Sequence, residues 1–384
     1  MVRVAVFAPN GGLDLAYGGG TFTALGMASA LSEAGHDVLL CSIQGMDKAR
    51  LELEHSVLID SKVAISRIYD VPANGLKRLP FIVSLALTRK LVDSVRTFRP
   101  DVVVFNDDAP NSIFHQMKKL GLPLILYAHF SNWVRTFYPT LFFSSTVATS
   151  FEAFSSIIPA RRMLARVSDF DLVLCNSHVT AHFVNRFVGG VPVKVVHPPV
   201  LEALDGVGHP KRPMILHTGR QDKTFMHEEF VHSAFDLKRF VPHIDIRVVN
   251  PSARLYSRNK PPNLLILPHL SKGEYLNQMK DARYLAHFKR FEGFGISVVE
   301  AMSHGCIPLV YASTFNAAWT DIVAFGKFGI GFSSCGQFVE KVRDLESNED
   351  LRLHFAELAS RRSRDFGMKA FKQSFTSALA AFLQ

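Results

Sequence analysis

The sequence has 384 residues and a formal net charge of +9, from 43 basic and 34 acidic side chains. With 48% hydrophobic and 20% charged residues it has ample apolar material for a core, which excludes a disordered or fibrous chain. That length suggests about two domains. The basic excess favours anionic partners such as nucleotide phosphates or acidic lipid head groups; no zinc-finger spacing, Arg-rich run or nucleic-acid module accompanies it, so nucleic acid is not an expected partner.

The chain opens on a strand-like run, Val2–Phe7, without a basic-then-apolar leader. No stretch reaches the ~18 consecutive apolar residues that a membrane-spanning helix needs. The expectation is a cytoplasmic protein, with peripheral contact to the inner face of an anionic membrane left open. Further short apolar runs follow at Val38–Ser42, Val102–Phe105, Leu124–Tyr127 and Leu172–Cys175, with helical patterns such as Thr21–Ala34 and Leu85–Phe98 between them. Continuous apolar strands separated by helices predict a parallel sheet covered on both faces. A second series runs through Met214–His217, Ile244–Val249, Leu264–Leu267, Tyr284–Phe288 and Ile307–Tyr311. Between the two series lie Val195-Val196-His197-Pro198-Pro199-Val200 and Asp205-Gly206-Val207-Gly208-His209-Pro210, whose proline and glycine density marks a connection. The predicted fold is α/β, two Rossmann-like doubly wound domains over 1–205 and 206–384 that face each other across a cleft, with the final helix packing back on the first domain. Ligands of such sheets bind beyond the carboxyl ends of the strands.

Candidate site residues fall at those ends. Gly18, Gly19 and Gly20 stand between the first strand and a helix that Thr21 could cap; they suit either a close backbone approach to a ligand or a plain turn. Asn106-Asp107-Asp108 offers an acidic pair for a metal or an ordinary polar loop. His129 ends the Leu124–Tyr127 run, and Arg220 and Lys223 follow Met214–His217, where cations suit a phosphate leaving group. From Pro139 to Pro159 only Glu152 is charged, and Arg161, Arg162 and Arg166 follow; an interfacial or lipid-binding segment and a buried hairpin both fit. Ser177 and the pair Ser271/Glu274 read as helix caps. The four cysteines Cys41, Cys175, Cys306 and Cys335 are scattered without a C-x-x-C pair, as reduced structural thiols would be.

The most informative stretch is Arg290-Phe291-Glu292-Gly293-Phe294-Gly295-Ile296-Ser297-Val298-Val299-Glu300, followed by Ala301-Met302-Ser303-His304-Gly305. Two carboxylates lie eight positions apart across a Gly-Phe-Gly turn that opens an apolar helix. The helix N-terminus offers unpaired N–H donors to an anion. Flanking carboxylates can accept from ligand hydroxyls, so a phosphate set between two of them describes a nucleotide sugar.

On these residues the chain resembles the retaining glycosyltransferases of family 4, which have the two-domain GT-B fold. Within them it is most similar to the mannosyltransferases of dolichol-linked oligosaccharide assembly, through Tyr127-Ala128-His129, Phe137-Tyr138-Pro139, Val196-His197-Pro198-Pro199, the Gly295–Glu300 block and Asp321-Ile322-Val323. The resemblance implies that Glu292 contacts the donor sugar and Glu300 the ribose, that Gly293 and the amides of Phe294, Gly295 and Ile296 hold the diphosphate, and that Gly18–Gly20 lie beside it. It implies catalytic roles for His129, Arg220, Lys223 and Glu292, no metal cofactor, and transfer of a hexose to a saccharide or lipid-linked acceptor. Two departures stand out: Phe225 occupies the register of the family's lysine, ahead of His227-Glu228, and Ser313-Thr314-Phe315-Asn316 replaces a Ser-Gly-Gly-Pro turn. The alternatives are a nucleotide-sugar epimerase of the same fold and a non-catalytic nucleotide-sugar-binding protein.

Overall fold

The structure, a computed structural model, describes residues 1–8, 19–42, 63–67, 91–106, 111–129, 165–200, 210–218, 226–249, 261–267 and 270–384. Two parallel sheets organise it. The first has seven strands: β1 (Arg3–Ala8), β2 (Asp37–Ser42), β3 (Val63–Arg67), β4 (Val102–Asn106), β5 (Leu124–Ala128), β6 (Leu172–Cys175) and β7 (Val193–Val195), in the order β3-β2-β1-β4-β5-β6-β7. The second has six: β8 (Arg212–Thr218), β9 (Asp245–Val249), β10 (Leu264–Leu267), β11 (Ala282–His287), β12 (Ile307–Tyr311) and β13 (Ile330–Phe332), in the order β10-β9-β8-β11-β12-β13. In both, the strand order reverses beside the first strand of the sheet, and the crevice at such a reversal is where doubly wound sheets bind ligands. The central strands are buried along their length, as in β4 and β5, because helices cover both faces.

Each sheet is sandwiched between two apolar layers. One layer of the first sheet joins Phe7, Phe105, Phe114 and Phe170. The other joins Leu25, Leu31, Val104 and Tyr127 to Phe371, Phe375 and Leu379 of the last helix, Met368–Leu383. That helix follows Glu349–Ser363, which packs within the second sheet's layers, and returns to lie on Gly19–Glu33. Lys372 adds an ion pair to the exposed Glu33, which at the surface contributes little; the buried Phe371 and Phe375 carry the contact.

Some sequence expectations shift. The first helix begins at Gly19, so Thr21 lies inside its first turn and is not its cap, and Gly19 and Gly20 are helical. Three strands carry little of the apolar run that marks the others: β3 has only Val63-Ala64-Ile65, and Lys194 and Gly331 interrupt β7 and β13; Val195, read as the start of the connection, ends β7. Ser177 and Ser271 do cap helices: Ser177 accepts from the Thr180 N–H, and Ser271 forms a capping box with Glu274. Cys41, Cys175 and Cys306 are buried and free, and burial pushes the thiols of Cys41 and Cys175 up. The Pro139–Pro159 segment, Arg161 and Arg162 lie outside the described residues; Arg166 rests over the Phe114 ring, 5.6 Å from its centroid. Among the described residues no helix is long and apolar enough to cross a membrane.

Gly26 sits where the first helix meets both the linker and the last helix: a Cβ there would lie 2.9 Å from Pro199 Cγ and 3.1 Å from Phe371 Cε1. Gly26→Ala should therefore lower stability by about 1–3 kcal/mol through overpacking, against the ~1 kcal/mol that Ala gains over Gly in a helix. A urea midpoint at or above that of the wild type would contradict this packing.

Candidate functional site

The Gly-Phe-Gly turn follows β11. Gly295 caps the helix Ile296–Ser303 at φ 99°, in the left-handed region, where only glycine is at ease. Space agrees with conformation: a Cβ on Gly295 would meet Ala318 Cβ at 3.0 Å. The N–H groups of Val298 and Val299 bond back to Gly295 O, so the amides of Gly295, Ile296 and Ser297 precede the first bonds of the helix and belong to its donor-rich end. Phe294 points the other way. It is buried between His197 and Phe366, with centroids at 5.4 Å from each; its side chain anchors the turn while its backbone stays at the edge.

Glu292 is clamped. Its Oε1 accepts the N–H of Gly293 at 2.8 Å and that of Phe294 at 3.4 Å, and its Oε2 takes the Lys289 ammonium at 2.9 Å. His287 Nε2 lies 3.6 Å from the same Oε2. Burial pushes the carboxyl up, but the Lys289 charge, His287 and the hydrogen bonds outweigh it and hold the group at about 2. His287 is itself pushed down to about 4 by burial, so it is neutral at physiological pH and Lys289 supplies the charge. The sequence reading thus placed Phe294 N–H on a phosphate, and here it is held by the protein's own carboxylate. Glu300 is buried inside the helix, facing Tyr275, whose phenol bonds Thr218 at the end of β8 and is pushed up by burial and by the Glu300 charge.

Asn316 secures this edge. Its side chain donates to Lys289 O at 2.8 Å and to Tyr311 O at 2.9 Å, and its Oδ1 accepts from Ala318 N–H. Phe315 stacks on Phe291 at 5.6 Å and meets Phe183 of the first sheet's layers at 5.8 Å. The tetrapeptide that departs from the family pattern therefore has structural work: one residue ties the turn and another packs between the sheets.

On the first sheet the structure brings Gly20 and His129 together through Asn106. Asn106 Nδ2 donates to Gly20 O at 2.7 Å, which leaves Oδ1 to accept from His129 Nε2 at 3.0 Å. That assignment places the imidazole proton on Nε2. Burial pushes His129 down to about 4, so the ring is neutral at physiological pH. Asp107 and Asp108, Gly18, Arg220 and Lys223 lie outside the described residues.

A second polar centre joins the sheets. Asp321 Oδ2 accepts the His178 backbone N–H at 2.8 Å and faces His178 Nδ1 at 3.0 Å and His197 Nε2 at 3.1 Å, while Thr320 donates to Oδ1 at 2.6 Å. Among the described residues this is the one His/carboxylate cluster with metal-ligand spacing. The backbone N–H aimed at the same oxygen, from the first residue of the helix His178–Phe187, puts positive potential where a cation would sit. The geometry is that of a hydrogen-bond junction. Sequence reading missed Lys289, although it stands three residues before Glu292, and read Asn106 only for the acids beside it. It quoted Asp321 for its resemblance alone, and His197 for the resemblance and as part of the connection.

The model of Glycosyltransferase Family 4 matches residues 17–201, and that of Glycosyl transferases group 1 matches residues 210–362. The chain belongs to the glycosyltransferases. As a glycosyltransferase it is a transferase enzyme, and its two parallel sheets form the GT-B fold. No curated protein matches the sequence. Similar solved structures include a sucrose-phosphate synthase (tll1590) from Thermosynechococcus elongatus, with TM-score 0.75 and 13% identity over 100% of this chain and 99% of that one. HepE (Alr3699) of Anabaena in complex with UDP-glucose has TM-score 0.68 and 15% identity over 99% and 100%. WaaG, a glycosyltransferase involved in lipopolysaccharide biosynthesis, has TM-score 0.65 and 14% identity over 97% and 99%. At these identities the likeness is one of fold.

In this glycosyltransferase burial pushes Asp321 up, yet the hydrogen bonds from His197, Thr320 and His178 hold it at about 2, below its ordinary 3.8. A depressed carboxyl stabilises the fold above its unfolded pKa and loses that contribution as pH falls through the folded one. Asp321→Asn should therefore cost about 2 kcal/mol at pH 7, with the gap from wild type closing between about pH 4 and pH 2. Urea unfolding at both ends of that window checks it; a gap independent of pH would refute the charge as its cause.

Proposed function

We propose that this glycosyltransferase moves a hexose, with retention of configuration, from a nucleoside-diphosphate sugar to an acceptor hydroxyl between the two sheets. The observation that carries the reading is the turn after β11: an ionised carboxylate, a glycine-capped helix end and a second buried carboxylate follow one another at a strand's carboxyl edge. Glu292 orients the sugar, Glu300 receives the ribose, and the amides of Gly295 and Ile296, together with Arg220 and Lys223, stabilise the departing diphosphate. HepE, a protein of the same fold, has been crystallised with UDP-glucose. The chain's residue-level resemblance to dolichol-pathway enzymes favours mannose, with GDP-mannose as donor.

Gly20 and His129 belong to the facing edge, where His129, neutral and fixed through Asn106, serves as a hydrogen-bonding group at the reacting sugar. The reading needs no metal, since the helix end and the cations supply the positive charge. No side chain is singled out as a covalent nucleophile, so departure and attack are assigned to one face of the sugar.

Thermal unfolding with GDP, UDP, ADP and their sugars tests the donor: at 100-fold excess over Kd the true ligand should stabilise by about 2.7 kcal/mol. Glu300→Ala should reduce sugar transfer by at least about tenfold, roughly the 1–3 kcal/mol cost of a lost buried hydrogen bond. Transfer at the wild-type rate would sink the ribose assignment, and sugar interconversion without an acceptor would indicate an epimerase.

The acceptor is assigned to the lipid-linked saccharides, on the +9 net charge and the apolar Pro139–Pro159 sequence. The protein should float with liposomes containing anionic lipid and release as salt is raised. Failure to float at any ionic strength would point to a water-soluble acceptor.

A further inference from the structure

We propose that Lys289 is a positioning residue of the donor site, holding the Glu292 carboxylate ionised and turned toward the sugar. The proposal rests on the reading of Glu292 as the sugar-binding group. An ionised carboxylate only accepts hydrogen bonds, whereas a protonated one also donates, so a site built to accept from sugar hydroxyls depends on its charge being kept. Glu292 is poorly placed to keep that charge unaided, since its side chain is 16% exposed and desolvation favours the neutral form.

Lys289 is built to offset this. Its side chain is 17% exposed and its ammonium sits 2.9 Å from Oε2. Its backbone is fixed on both sides, by its own N–H on His287 O and by Asn316 on its carbonyl. The partner is fixed too: Glu292 N–H bonds Phe315 O, and Glu292 O accepts from Ala317 N–H. An ion pair between two held backbones sacrifices less side-chain entropy than an exposed one. Among the described residues the titratable groups that face Glu292 are Lys289 and His287. Arg290 lies over the Tyr311 ring instead, 5.7 Å from its centroid, and His287, buried and neutral, cannot replace the lysine. His287 Nε2 has no hydrogen-bond partner among the described residues, so the ring stands as an uncharged wall behind the carboxylate.

The sign of the effect follows. With Lys289 in place Glu292 is ionised throughout the working range of pH. Without it, burial returns the carboxyl upward, and the sugar contact weakens wherever the pH falls below the raised pKa. The nucleoside diphosphate, held by the helix end and Glu300, does not depend on this carboxylate.

Calorimetric titration of Lys289→Met with GDP and GDP-mannose, and with UDP and UDP-glucose, at pH 5 and pH 8 separates the contributions. The pair whose base binds the wild type is the one compared. We expect nucleoside-diphosphate affinity within about twofold of wild type, which also reports a folded site. The additional affinity conferred by the sugar should be about tenfold weaker at pH 5 than at pH 8, one decade of ionised carboxylate per pH unit below the pKa, while the wild type stays flat. Lys289→Arg should restore the flat profile. A Lys289→Met variant whose sugar increment is flat and wild-type in size overturns the proposal, and so does one that loses nucleoside-diphosphate affinity equally, since Lys289 would then be a phosphate ligand. Glu292→Gln separates the levels: if it leaves the sugar increment intact, the sugar-binding role of Glu292 fails and the proposal with it.

Discussion

The relation between the two sheets turns on one buried carboxylate. Asp321, in the helical turn Ala318–Ile322 after β12, gathers the backbone and ring of His178 from the first sheet and the ring of His197 from the connection onto a single oxygen. Burial of a charge is costly unless every lone pair is used, and here Thr320 takes the other oxygen. Arg362 holds the same turn from the far side, donating to Asp321 O and Ile322 O. These hydrogen bonds form with the two sheets set as observed, so polar satisfaction at Asp321 acts beside the apolar contacts in specifying their mutual placement.

The turn after β11 shows how little sequence such a site needs once the backbone is right. Gly295 supplies a left-handed residue in a space closed by Ala318 and Ile322. Phe294 sinks into the apolar layer below, and the polar atoms that remain at the edge are the amides and Glu292. The same local rule runs on the first sheet, where Asn106 at the end of β4 links the first helix to His129 beyond β5. In both places one amide side chain, Asn106 or Asn316, fixes the backbone beside a candidate ligand-binding residue, and the residue itself carries the chemistry.

What could be read from the sequence follows the same division. The central strands were legible because burial on both faces demands continuous apolar runs. The strands missed, β3, β7 and β13, are edges of their sheets, where half-buried residues such as Val193–Val195 need no such run. Glu292 and Glu300 were legible because their spacing and the glycines between them are local. The Asp321 junction was not: its partners stand 143 and 124 positions away, and nothing in a lone Asp-Ile-Val marks a residue that will be buried against two histidines. Lys289 lies within three positions of Glu292, yet their pairing depends on the bridge that sets Glu292 beside Asn316, a contact the local sequence does not contain.

One side chain connects these levels. His197 leans on Phe294 on one side and faces Asp321 on the other, and Val200, three residues on, bonds Phe366 O where the chain turns back toward the first sheet. The ring that helps to set the two sheets is thus also the floor of the Gly-Phe-Gly turn. Among the turn's three residues only Phe294 has a side chain, and that ring packs against His197. The junction at Asp321 and the backbone of the Gly-Phe-Gly turn are therefore coupled through His197: they share a packed aromatic contact, and close-packed contacts of that kind shift between discrete arrangements more readily than they stretch.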